Sequence, residues 1–382
     1  MGAFVIDDIH GARLIRTILL AACIAAAFEP AAAQTSPVYE CTVISASDGN
    51  AMTGGINRRS DVVGWSVSDV DSGPTRWKGN GRTVYLSSDG YGRAFDINDA
   101  GVTVGYGYDH DGVSRATTWR RGEVNHLPSL TKKPSPGWAH AINRHGDVVG
   151  HSQARGNPEN GHAVLWRAGQ AIDLGALGRP KDQKATYSDA LDINDAGQVV
   201  GYSHVSPGGP THPVRWDDPQ TLVDLGPLPG GTNSIAQAIN RSGLVVGSSE
   251  FGPGDDHHAV AWGPDGIRDL GTLPGHTRSW ARAVNAHGVI VGEGRPTRSG
   301  DQVALIWLAP TSAPVALQGL VEGRGCIDDA GQVYTLQRAT GINDAGVIAA
   351  YGMRTTPDGS RQWSALRLTP VADTSWPARW RN

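Results

Sequence analysis

One phrase, Ala236-Gln237-Ala238-Ile239-Asn240-Arg241-Ser242-Gly243-Leu244-Val245-Val246-Gly247, recurs along most of the chain and sharply limits what it can fold into. Counted by its asparagine, it returns at Asn57, Asn98, Asn143, Asn194, Asn240, Asn285 and Asn343, in steps of roughly 45 residues. A chain of such copies buries each unit against its neighbours, so 382 residues read as one domain rather than two or three.

Within a copy, the residues four and two before the asparagine are small, as with Ala139 and Ala141 or Ala281 and Ala283. A period of two is that of a strand with one closely packed face. Asn-x-x-Gly then predicts a tight bulged hairpin, in which the asparagine bonds its own downstream backbone and the glycine accepts positive φ. A second strand ends in glycine, as in Val199-Val200-Gly201, and a third ends in Trp77, Trp119, Trp166, Trp216, Trp262 or Trp307. A fourth carries Asp-Leu-Gly, beginning at Asp173, Asp224 and Asp269. The terminal copies depart from the pattern, with Ser60 in place of the turn glycine and Ala350 in place of the strand glycine.

Four short strands per copy, repeated seven times, predict an all-β, seven-bladed β-propeller of four-stranded antiparallel blades. The seventh copy lacks a fourth strand, while residues 38–43 precede Asn57 at the distance a fourth strand should. The N-terminal strand is therefore expected to complete the last blade, which removes the exposed edges of an open array. Cys41 and Cys326 then both fall at that blade. A bridge between them is one reading, and two unpaired buried thiols the other.

At the N-terminus, Arg13 and Arg16 precede an apolar stretch over 17–28 and the triplet Ala31-Ala32-Ala33. Residues 1–33 thus read as a cleavable secretory signal, and the protein as exported, extracellular or periplasmic. Leu20-Ala21-Ala22-Cys23 resembles a lipobox, yet the apolar run continues past Cys23, and the ordinary signal fits better. The propeller is expected over 34–370, with 371–382 a tail that carries no repeat and is frayed by default. The formal charge is -4, the pI is near 6.3, and no run of Lys or Arg occurs. This excludes nucleic acid and polybasic membrane attachment as partners, and no transmembrane segment is expected in the mature chain.

Residues 96–101 and 192–197 resemble calcium loops, but Ala100 and Ala196 stand at the third ligand position, and Gly107 and Ser203 replace the distal glutamate. An asparagine turn explains the same residues. His162, His212 and His258 recur at one position on separate blades, and are read as structural groups bonding a neighbouring backbone. The repeated tryptophans read as core. No nucleophile elbow or Walker loop occurs, so no catalytic residue, metal or cofactor is expected.

With the repeat laid out, the chain resembles the bacterial family of extracellular HAF repeats over about residues 39–370. The resemblance rests on Ala-x-Ala-Ile-Asn-x-x-Gly-x-Val-Val-Gly, on His-Ala-x-x-Trp at His162 and His258, and on Asp-Leu-Gly-x-Leu from Asp269 to the later Gly275. Phe is replaced by Val in the naming triplet, and Pro follows His212. The resemblance implies an exported bacterial protein and carries no catalytic motif.

The loops after the second strand and before the first vary in length, whereas the Asn-x-x-Gly and post-tryptophan turns are short and uniform. Strand alternation puts both variable sets on one end of the ring, where function concentrates on a rigid scaffold. Trp138, His140, Tyr187, Trp280 and Arg282 lie at or near the starts of first strands there. The leading expectation is a monomeric binding or interaction module, not an enzyme, taking a protein, glycan or small-molecule ligand on that face. A hydrolase or lyase acting on carbohydrate or a similar polymer is the alternative, and a structural envelope protein the third. Two carboxylates, or an Asp and a His, close together at the pore mouth with shifted pKa values would favour the enzyme, and a flat or tryptophan-lined face without such a cluster would favour binding.

Overall fold

The computed structural model describes residues 37–371, except 46–48, 69–71, 88–90, 155–160, 179–185, 253–255 and 324. The signal read at 1–33, Cys23 and the tail from 372 onward lie outside the described residues. Each copy of the repeated phrase forms the two inner strands of one sheet. In blade 5, Ser234–Ile239 is innermost, followed outward by Val245–Glu250, His257–Gly263 and Gly266–Gly271. Seven such sheets form among the described residues, six of four strands and one of five. Each inner strand touches the next, and Val333–Ile342 of blade 7 touches Asn50–Ile56 of blade 1, so the ring closes as a seven-bladed propeller. Among the described residues, no helix is long and apolar enough to cross a membrane.

Blade 7 differs from the rest. Tyr39–Val43 pairs antiparallel with Arg361–Pro370, placing Cys41 opposite Leu368. The fifth strand is Cys326–Ile327, paired with Tyr334 and Val333. The turn between them copies the repeat turn, with Asp328 in the asparagine's place accepting from the N–H groups of Ala330 and Gln332. This out-of-register copy is an added hairpin rather than an eighth blade. Cys326 is fully buried and bridged to Cys41, with Cα atoms 5.1 Å apart. The bridge spans 285 residues, and in the chain-entropy view closing so long a loop stabilises by about 5–6 kcal/mol.

The asparagine does more than turn the chain. Asn240 Oδ1 accepts from the N–H groups of Ser242 and Leu244, both at 3.0 Å, which closes its own hairpin. Its Nδ2 donates to the carbonyl of Asn285 in the next blade. The same step repeats from Asn57 to Asn98, Asn143, Asn194, Asn240, Asn285, Asn343 and back to Asn57, at 3.0–3.4 Å. All seven asparagines are buried, so each bond is made away from bulk water, where an unmade one is costly. The turn glycine adopts the expected left-handed backbone, φ 84° at Gly243, and Ser60 adopts it at 58°.

The strand glycine has a different cause. The inner strand bulges three residues before the asparagine, at Gln237, with the register shifting between Ala236 and Ala238. A Cβ on Gly247 would fall on the carbonyl of Ile235, well inside van der Waals contact. The copy with Ala350 is the one whose inner strand has a second bulge, between Leu336 and Arg338.

The core lies in the wedges between blades. Val149 and Leu165 of blade 3, for example, pack with Ala190, Val199 and Trp216 of blade 4. The tryptophans are buried as expected, and several also donate their indole N–H to the preceding blade, Trp216 to Leu174 O at 2.8 Å and Trp307 to Leu270 O at 2.9 Å. The recurring histidines require a correction: their partner is a side chain and not a neighbouring backbone. His162, His212 and His258 bond through Nδ1 to Asp173, Asp224 and Asp269 at 2.8–3.0 Å. The two repeated motifs, the histidine of the third strand and Asp-Leu-Gly of the fourth, are thus halves of one contact.

Candidate functional site at the loop end of the channel

The inner strands all run toward the asparagine turns, so the central channel has a turn end and a loop end. At the turn end the residues after the asparagines are Arg58, Asp99, Arg144, Asp195, Arg241, Ala286 and Asp344. Their charges alternate, and a ring of seven can alternate only with one break, here Ala286. Arg58 lies 3.6 Å from Asp99 and 3.5 Å from Asp344, and Asp195 lies 3.5 Å from Arg144. Behind this self-neutralised rim stands an apolar ring of Ile56, Ile97, Ile142, Ile193, Ile239, Val284 and Ile342.

Deeper in the channel the bulge decides what is presented. The residue left over by the register shift is Phe95, His140, Leu191, Gln237, Arg282 or Thr340, and each lines the inner cavity. A bulge adds one residue to one strand and re-aims its side chain. Strict small-x-small alternation describes the packed face correctly and says nothing of this extra position. Asp96 and Asp192 border the same cavity and bond backbone N–H groups of the following blade, at Ile142 and Ile239. Burial raises both carboxyls, Asp192 to about 7, where the charge of Asp96 adds to the effect.

Toward the loops, one register step beyond the small residue and the strand glycine, cross-strand pairs surround the mouth. They are Met52 with Trp65, Arg93 with Tyr106, Trp138 with His151, Asp189 with Tyr202, Ile235 with Ser248, Trp280 with Glu293, and Arg338 with Tyr351. The repeat holds its neighbours constant and leaves these two columns free to vary.

All five residues expected on the binding face are at this end, and they fall into two groups. Trp138, His140 and Tyr187 join blades 3 and 4 around Asp189. His140 Nε2 lies 3.3 Å from Asp189 Oδ1. Burial works against charge on His140, but the carboxylate outweighs it and raises the pKa above the usual histidine value. His151 is lowered by burial, with the nearby His140 and His162 adding to the effect. The rings stack in series: Trp138 on His151 at 5.1 Å, His151 on Tyr187 at 5.2 Å and Tyr187 on Tyr202 at 5.9 Å, all at 27°. Burial pushes Tyr202 up to about 12.

Trp280 and Arg282 belong to a second group on blades 6 and 7. Glu293 is fully buried and accepts from Arg282 through Nε and Nη2, while Arg338 Nη2 lies 3.2 Å from it. Burial opposes the charge of Arg282, and Glu293 more than restores it. Arg282 also donates to Gln237. The Gln302 amide oxygen, turned to satisfy both donors, accepts from Arg295 at 2.7 Å and Arg338 at 2.8 Å. Arg295 further lies over Trp280, and Arg338 over Tyr351.

Sequence reasoning missed the second-strand column: Trp65, Tyr106, His151, Tyr202, Ser248, Glu293 and Tyr351. The signal was present, since each follows the strand glycine directly, or Ala350 in the last copy, and is the first residue there to escape the repeat. The acidic loop residues Asp109 and Asp256 are occupied by Arg115 and Arg278, at 3.4 and 3.0 Å. Among the described residues no group of three His, Cys, Asp or Glu side chains could hold a metal ion.

No protein-family model matches the chain, and no curated protein matches it. Among solved structures it is similar to TolB from Acinetobacter baumannii, at 12% identity and TM-score 0.39, over 71% of this chain and 64% of that one. It thus spans a little under two thirds of the length of TolB. A protein from Dyadobacter fermentans DSM 18053 gives 11% identity and TM-score 0.40, over 89% of this chain and all of the other. The polysaccharide lyase Uly1 gives 10% identity and TM-score 0.49, over 88% of this chain and all of that one. Likeness at this level says nothing of activity.

Proposed function

We propose that this chain is an exported protein of the HAF-repeat kind that binds a glycan at the loop-end mouth of its propeller channel. The observation that carries this reading is a series of stacked rings running across two blades beside polar groups, in which half-buried Trp138, Tyr187 and Tyr202 are held together by the buried His151. Sugar rings offer apolar C–H faces and a rim of hydroxyls, and are matched by aromatic surface with a few fixed donors and acceptors. The disulfide is consistent with an oxidising compartment outside the cytosol. Titration calorimetry with a panel of soluble oligosaccharides tests the reading. Binding that Trp138→Ala weakens at least tenfold supports it, and binding to no member of the panel sinks it.

A second reading has its own observation. His140 and His151 have pKa values displaced in opposite directions within one site, and His140 is paired with Asp189. Two like groups driven apart by their surroundings form the pattern of an acid and a base. On this reading the bound glycan is also cleaved. New chain ends should then accumulate with the natural protein and vanish with His140→Asn as well as with His151→Asn; turnover unchanged in both variants would exclude it.

A further inference from the structure

The second cluster at the mouth points to the ligand's charge, and the inference rests on the glycan reading above. Two guanidinium groups, Arg282 and Arg338, hold the single carboxylate of Glu293, and a third, Arg295, joins Arg338 on the Gln302 amide, so the cluster carries three positive charges against one negative. Guanidinium has about five N–H donors, and the acceptors within the cluster are Glu293, Gln302 and Gln237. The shortage of acceptors is visible in the Nε–H groups of Arg295 and Arg338, which find none. Glu293 is consumed by Arg282 and Arg338, and Arg295 has only the Gln302 amide and the Trp280 ring.

This surplus stands out because the chain as a whole is acidic, at -4, and because the charged rim at the other end of the channel balances to three arginines and three aspartates. Arg282 reaches the cavity itself as the bulge residue of blade 6, and about a quarter of the Arg282 and Arg338 side chains is exposed, at 27% and 28%. Guanidinium forks match carboxylate and sulfate oxygens in pairs, and Trp280 beneath Arg295 offers a ring face beside them.

We infer that Arg282, Arg295 and Arg338 form a receptor for an anionic substituent, a carboxylate or a sulfate, on the bound glycan. The ligand is therefore an acidic polysaccharide, with its charged group on blades 6 and 7 and its ring faces toward the stacked aromatics of blades 3 and 4.

The test compares oligogalacturonate with its methyl ester, and dextran sulfate oligomers with dextran oligomers, by calorimetry at physiological salt. One acidic member should bind at least tenfold more tightly than its neutral counterpart, and which pair responds tells carboxylate from sulfate. Arg295→Gln, which breaks no ion pair and leaves Glu293 satisfied, should remove that preference without weakening neutral binding. Arg144→Gln at the opposite end should leave it intact. If neutral and acidic partners bind equally, or both arginine variants lose the preference alike, the inference falls while the glycan reading stands. If no oligomer of either kind binds, both fall together.

Discussion

The two ends of the channel are built from the same seven strands and serve opposite purposes. At the turn end every blade contributes the same asparagine, its amide closes a ring of hydrogen bonds, and the charged rim beyond it cancels. At the loop end the same strands present Trp, His, Asp, Arg, Glu and Tyr at equivalent positions, and the pair differs from blade to blade except in blades 2 and 7, which both set Arg opposite Tyr. Where blade must meet blade, every copy needs one chemistry. Where side chains face the mouth, nothing in the scaffold constrains them. The bulge is the boundary between these regimes, because it frees one residue per inner strand from packing and directs it into the channel.

The contrast breaks most readily at the turn end. Asn240→Ala removes the acceptor for Ser242 and Leu244 and the donor to Asn285, and should cost about 3 kcal/mol in urea unfolding because these groups are buried. Ligand affinity should not change; a loss below about 1 kcal/mol would mean the asparagine ring is incidental.

Asp192 sharpens the comparison from inside the channel. Its folded pKa of about 7 lies above the ordinary 3.8, so the folded state holds the proton more tightly. Stability should therefore decline as pH rises from about 4 through 7, with the full cost present above that window. In Asp192→Asn this decline should flatten, leaving the variant more stable than the parent at pH 8 by on the order of 2 kcal/mol. Parallel melting curves for the two proteins across pH 4–8 would contradict the assignment.

At the loop end, Trp138→Ala should lower glycan affinity about tenfold, near 1.4 kcal/mol, and change the unfolding midpoint less than Asn240→Ala does. A variant that unfolds early yet binds normally would make Trp138 scaffold. The smallest effect belongs to the charged rim. Arg144 and Asp195 are partly exposed, their side chains at 58% and 22%, and Arg144→Ala should alter stability by under about 0.5 kcal/mol. A larger loss in thermal unfolding would show that the alternating ring carries more of the closure than its exposure allows.

Much of this was legible in the repeat itself. Small residues at a period of two, an asparagine turn and a strand glycine name a hairpin, and seven copies name the ring. The five residues expected on a binding face lie at the loop end, which could be told from the other because loop lengths vary only there. What escaped notice were His151, Asp189, Tyr202, Glu293, Arg295 and Arg338. Each looks like an ordinary strand or loop residue until its partner on another strand or blade is known. The histidines of the third strand show the same limit, since Asp173, Asp224 and Asp269 lie outside any local motif that contains them.

The amino-acid sequence by itself determined the blade count, the turn chemistry and the position of the variable end, because these depend on periodicity and on local backbone preference. Only the tertiary structure decided that each asparagine reaches the next blade, that one residue per inner strand bulges into the channel, and that Arg282 and Arg338 converge on Glu293 with Arg295 beside them on Gln302. Those facts depend on how one strand lies beside another and on closure of the ring, and no spacing along the chain encodes the distance across it.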